Sequence, residues 1–132
     1  MSGDKTRLTL TIAISSLSAV QVFLTALQLV DQDQLRSGRY PTLYRSGVKY
    51  QREPRGREDW QTVSRAYRAK FADCEDLAAW RAAELVVTGE DSGARAVIKR
   101  VRPGLIHCLV MRGNGSMEDP SRVLGMGQVD AG

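Results

Sequence analysis

Three side chains occur in an order that acyl-transfer chemistry can use: Cys74 in FADCEDLAAW, His107 in LIHCLVM and Asp119 in MEDPSR. A thiolate attacks an acyl carbon, an imidazole moves the proton, and a carboxylate fixes the imidazole tautomer. His107 is the only histidine in the chain, so that role can fall nowhere else. A structural role for His107 in an apolar strand, and for Cys74 as a small residue at a helix start, are the plainer alternatives.

The nucleophile needs a helix beneath it. Asp73 reads as an N-cap, with Asp76 three residues later in the first turn, so Cys74 opens a helix that runs to about residue 86. Unpaired N–H groups and the helix dipole at that position favour a thiolate. The neighbouring acids Asp73, Glu75 and Asp76 oppose it.

The other two residues need a sheet. A strand over 94–101, a break at Pro103-Gly104 and a strand over 105–112 are expected, the latter apolar enough to be buried on both faces. Residues 117–119 begin a short return strand. If the turn is a two-residue Asn114-Gly115, paired positions sum to 229 and His107 and Asp119 fall on opposite faces. If the loop is Gly113-Asn114-Gly115, the sum is 228, His107 faces Ser121, and Asp119 is its diagonal neighbour on the same face. The three-residue loop, with Gly115 left-handed, is therefore the one the chemistry requires.

Upstream, residues 7–14 alternate as a period-two strand. Ser15 or Ser16 then caps a helix carrying Leu17, Val20, Phe23, Leu24, Leu27 and Val30, which ends near Arg36. Residues 40–60 read as surface loop with a short strand at 48–50 and tyrosines that pack on the domain; residues 60–70 read as a short helix. Residues 1–126 form one α+β domain, and 127–132 a flexible tail.

The 132 residues suffice for one core, with 42% hydrophobic and 26% charged residues, as in ordinary globular domains. The net charge of +4 comes from scattered basic residues without an aromatic ladder, which argues for a solvated surface and against nucleic acid as a partner. One histidine and two cysteines without CxxC spacing exclude a zinc cluster. Two cysteines make no secreted disulfide framework, and a nucleophilic Cys74 must be free. The uncharged stretch 8–30 is too rich in Ser, Thr and Gln for a membrane span or a convincing signal peptide.

DCEDLAAWRAAEL, IHCLVM and MEDPSR together resemble the transglutaminase-like cysteine protease superfamily, closest to small phage- and prophage-type bacterial transglutaminase-like cysteine proteinases. Trp60-Gln61-Thr62 is similar to that family's upstream tryptophan segment, and PTLYRSGVKY resembles small phage-encoded proteins. The resemblance covers residues 40–126. It implies a papain/transglutaminase-like core, with the cysteine at the N-terminus of a central helix packed on a small antiparallel sheet. It implies Cys74 as nucleophile, His107 as general base and acid, and Asp119 as orienting carboxylate. The oxyanion would lie at the Cys74 N–H and a side chain such as Trp60 or Gln61.

Some relatives bind calcium through acids flanking the cysteine, which maps to Asp73, Glu75 and Asp76; helix capping explains the same acids without an ion, and no cofactor is required. The implied substrate is a protein or peptide, cleaved or transferred through a thioester, in the host cytoplasm or a virion. The alternative is a virion or assembly protein that keeps the fold for contacts with other phage structural proteins. Ala72 departs from the family pattern, which has glycine there.

Overall fold

The computed structural model describes residues 16–53, 59–102 and 105–127. The strand expected over 7–14 and the break at Pro103-Gly104 lie outside the described residues, as does the tail beyond Gly127.

The described residues form a small α+β domain. Helix α1 spans Leu17–Leu35, and Ser16 caps it by accepting from the Ala19 N–H. A 3-10 turn at Leu43–Arg45 leads to β1, Lys49–Tyr50, and then to α2, Val63–Ala69. Strand β2, Phe71–Ala72, follows; then α3, Cys74–Thr88; β3, Arg95–Arg102; β4, Leu105–Met111; β5, Met117–Glu118; and α4, Pro120–Val123.

Helix α3 is the centre. Every residue from Glu75 to Leu85 except Arg81 is buried. Ala78, Ala79 and Ala82 let α1 and the sheet approach closely, forming one apolar cluster with Leu24, Leu27, Ala96, Cys108 and Val110. Leu77 and Trp80, on another side of α3, join a second cluster with Leu43, Val48, Val63 and Leu124. Tyr40, Tyr44, Tyr50 and Tyr67 pack against this second cluster, as expected for packing tyrosines.

The sheet β3-β4-β5 is antiparallel, and β1 pairs with β2 in parallel. Gln21 and Gln28, seven residues apart on α1, complete the outer edge of β3. Gln28 donates to the Ala94 carbonyl at 3.1 Å and accepts from the Ala96 N–H at 2.8 Å. Gln21 donates to the Ala96 carbonyl and accepts from the Ile98 N–H, both at 2.9 Å. Two side-chain amides thus stand in for a neighbouring strand and close an edge that would otherwise invite pairing.

Several expectations are corrected. The helix expected over 60–70 begins only at Val63, because its first N–H groups are received from outside. Asp31 Oδ1 accepts from the Val63 N–H at 3.0 Å and Gln34 Oε1 from the Ser64 N–H at 2.9 Å. Strand β4 is not buried on both faces: Cys108 and Val110 point into the core, while Leu105, His107, Leu109 and Met111 on the opposite face are only partly buried. The return strand stops at Glu118, and Asp119 caps the short helix α4, with Pro120 at its first position.

Candidate active site

The turn between β4 and β5 settles the register. Val110 pairs with Glu118 and Met111 with Met117, sums of 228, and the Arg112 N–H donates to the Ser116 carbonyl at 2.7 Å. The loop is Gly113-Asn114-Gly115, and Gly115 has φ +90°, the left-handed region that favours glycine. This is the register that permits His107 and Asp119 to meet. Pairing ends before Ser121, so the contact comes from the strand end bending into α4 rather than from a diagonal strand pair.

His107 Nε2 and Asp119 Oδ2 lie 3.0 Å apart, with the side chains 16% and 21% exposed. The carboxylate holds the proton on Nε2, which leaves Nδ1 as the ring nitrogen able to serve the thiol. Asp119 also accepts from the Arg122 N–H at 3.3 Å, so its capping role fixes it on the backbone side. The hydrogen bond to Asp119 and the contact with Cys74 push the His107 pKa from 6.5 up to about 9, against the opposing effect of burial. Burial alone would raise the Asp119 carboxyl, but the His107 contacts bring it below its ordinary value.

Cys74 opens α3, as expected, and Asp73 and Asp76 form the reciprocal capping box. The thiol is half-buried and free. Its strongest neighbour is one that sequence reading missed: Cys108, one residue from His107 and buried in the core. The hydrogen bond with Cys108 and burial push the Cys74 pKa well above its usual value, while His107 pulls it down. The thiol also donates to Glu75 Oε1 at 3.6 Å. The signal for Cys108 was its place in the inward set of β4, alternating with His107.

The other expected site residues are placed less favourably. The Cys74 N–H donates to Asp73 Oδ1 at 2.6 Å, so this oxyanion donor is engaged by the cap. Gln61 donates its side-chain amide to the Phe71 carbonyl at 2.9 Å and its N–H to Asp76 Oδ1 at 2.7 Å. Trp60 packs, like Cys74, against the cluster around Ala78 and Cys108.

The acids of the suggested calcium set serve the backbone: Asp76 accepts from the Gln61 and Asp73 N–H groups, and Asp73 from those of Cys74 and Glu53. Ligand-capable atoms converge instead in two overlapping trios, Glu53 with Glu75 and Asp76, and Asp73 with Cys74 and Glu75. Burial and the neighbouring acids raise the carboxyls of Glu75 and Asp76 well above their ordinary values, while the backbone donors to Asp76 pull the other way. Ala72 is buried in β2, its carbonyl accepting from the Gln51 N–H, so its methyl belongs to the core.

No family model, no curated protein and no solved structure matches this chain. No helix among the described residues is long and apolar enough to cross a membrane.

Proposed function

We propose that the chain is a cysteine peptidase- or amidase-like acyl-transfer enzyme with Cys74, His107 and Asp119 as its working groups. The observation that carries this reading is the 3.0 Å contact between His107 Nε2 and Asp119, with the same imidazole coupled to the thiol that opens α3. Cys74 attacks the acyl carbon, His107 passes a proton to the leaving amine, and a Cys74 thioester remains. Water releases the acid, or a second amine accepts the acyl group. The resemblance to transglutaminase-like cysteine proteases, with its papain-like core, protein or peptide substrate and phage setting, is consistent with a helix-borne cysteine beside a small antiparallel sheet. These steps require no cofactor, and calcium on Asp73, Glu75 and Asp76 is compatible with them.

Because Cys74 and His107 both hold their protons above neutrality, the proposed enzyme works best at alkaline pH. The test is p-nitrophenyl acetate acylation from neutral to alkaline pH, read by p-nitrophenol release and intact mass. The expected result is one acetyl group on Cys74, formed faster as pH rises through about 9 and lost in Cys74→Ala and His107→Ala. Acetylation that is equal in wild type and His107→Ala at every pH would overturn the reading. It would favour the alternative, an assembly protein on this scaffold, which the engaged Cys74 N–H supports.

A further inference from the structure

Strand β5 is too short to hold Asp119 by itself. Only two residue pairs join it to β4, and Asp119 is the next residue along. Short ladders of this kind are marginal without further support. The support comes from Glu118. Its Oε1 accepts from Arg112 Nε at 3.0 Å and Nη2 at 2.6 Å. Its Oε2 accepts from Arg81 Nε at 2.6 Å and from the Tyr44 hydroxyl. One carboxylate, 18% exposed, thus gathers donors from the end of β4, from α3 and from the 3-10 turn.

The anchor continues inward. Arg81 Nη1 meets Glu84 Oε2 at 2.7 Å, and Glu84 Oε1 accepts from the Leu43 N–H at 2.8 Å. The Arg81 guanidinium also lies 4.8 Å over the Tyr44 ring. Arg112 Nη1 lies 3.8 Å from Glu90 and 4.0 Å from Asp91, which draws it toward the turn after α3. Cys74 and Arg81 sit seven residues apart on the same helix, so the network ties the thiol-bearing element to the segment that bears the carboxylate.

We infer that Glu118 is a positioning residue of the proposed site, joining β5 to α3 through Arg81, Arg112 and Tyr44 so that Asp119 meets His107; this rests on the Cys-His-Asp reading. Glu118 touches neither the thiol nor the imidazole. Its effect is transmitted through the backbone of the adjoining residue. Burial alone would raise its carboxyl, yet the bonds from Tyr44, Arg81 and Arg112 hold it below the ordinary value, as expected for an anion fully occupied by donors.

The test uses the sole histidine as reporter. The imidazole titration of the folded protein is followed by NMR in wild type, Asp119→Asn, Glu118→Gln and Tyr44→Phe, with urea unfolding in parallel. Tyr44→Phe removes one donor without changing charge, so it separates positioning from direct electrostatics and remains informative if Glu118→Gln does not fold. The expected result is a lowered His107 midpoint in both network variants, together with acylation slowed about tenfold or more in Glu118→Gln, as misplacement of reacting groups produces. A midpoint at the wild-type value in both variants, with stability alone reduced, overturns the inference and leaves Glu118 a scaffold residue. If the wild-type midpoint is itself ordinary and Asp119→Asn does not move it, the Cys-His-Asp reading has failed instead.

Discussion

Asp119→Asn isolates the charge of the candidate site with little other disturbance. Asparagine is isosteric, caps a helix as well as aspartate does, and retains an oxygen for the Arg122 N–H. What it loses is the negative charge 3.0 Å from His107 Nε2. The displacement of the His107 pKa from 6.5 to about 9 corresponds to about 3 kcal/mol favouring the imidazolium. The hydrogen bond to Asp119 is its largest cause, ahead of Cys74. Both side chains are less than a quarter exposed, so solvent screening reduces this only moderately. The variant's imidazole midpoint should therefore fall from about 9 toward 6.5, and a single histidine makes the NMR signal unambiguous.

Stability carries the same signature. A folded-state pKa raised above the unfolded value contributes fully below 6.5 and is lost as pH rises through about 9. Wild type should lose up to about 3 kcal/mol across that window, and Asp119→Asn most of the slope. A midpoint that remains near 9 in Asp119→Asn would refute the assignment of Asp119 as the group that holds His107 protonated.

Removing the Cys108 thiol as Cys108→Ala should lower the Cys74 pKa, since Cys108 is the largest influence raising it. Iodoacetamide should then label Cys74 faster at neutral pH than in wild type, and equal rates would argue that the two thiols do not interact. Gln28→Ala leaves the Ala94 carbonyl and the Ala96 N–H without their side-chain partner at a site where Gln28 is 7% exposed. A loss of about 2 kcal/mol or more is expected in urea unfolding; a loss below about 0.5 kcal/mol would mean that solvent replaces the clamp. Asp73→Ala breaks the capping box and should cost about 1 kcal/mol, measured by thermal unfolding. It also frees the Cys74 N–H, so acetylation of Cys74 should not be slower per folded molecule; a slower reaction would mean that Asp73 acts in the chemistry rather than in the cap.

Local chemistry made part of this fold legible. The Asp73–Asp76 box stands where rules acting within a few residues place it; of Ser15 and Ser16, the second caps α1; and Gly115 is left-handed as the three-residue loop demands. The meeting of His107 and Asp119 was conditional on a turn length, and the observed register satisfies the condition. Long-range partners were not legible. Nothing near Val63 announces that Asp31 and Gln34, some thirty residues earlier, receive the first N–H groups of α2. Gln21 and Gln28 read as polar residues interrupting an apolar helix, because a side chain bonding to a strand edge leaves no periodic mark. In sequence Asp119 reads as the third residue of a strand begun by Met117 and Glu118, although Asp-Pro is also a good helix start: aspartate caps, and proline fits the first helical position.

The half-buried Cys74 thiol sits beside the imidazole with its proton held above neutrality. Cys74 is flanked by Cys108, Glu75 and His107, of which only His107 favours the thiolate. Glu75 is itself held toward its neutral form, by burial first and then by Asp76, so it opposes the thiolate less than an ionised acid would. At neutral pH the pair therefore holds both protons, and the first to leave belongs to thiol and imidazole jointly. Anything that draws the Cys74 sulfur away from Cys108 removes the largest raising influence while leaving the imidazolium in place. The Cys108→Ala labelling rate measures how far the second thiol holds the Cys74 proton in place.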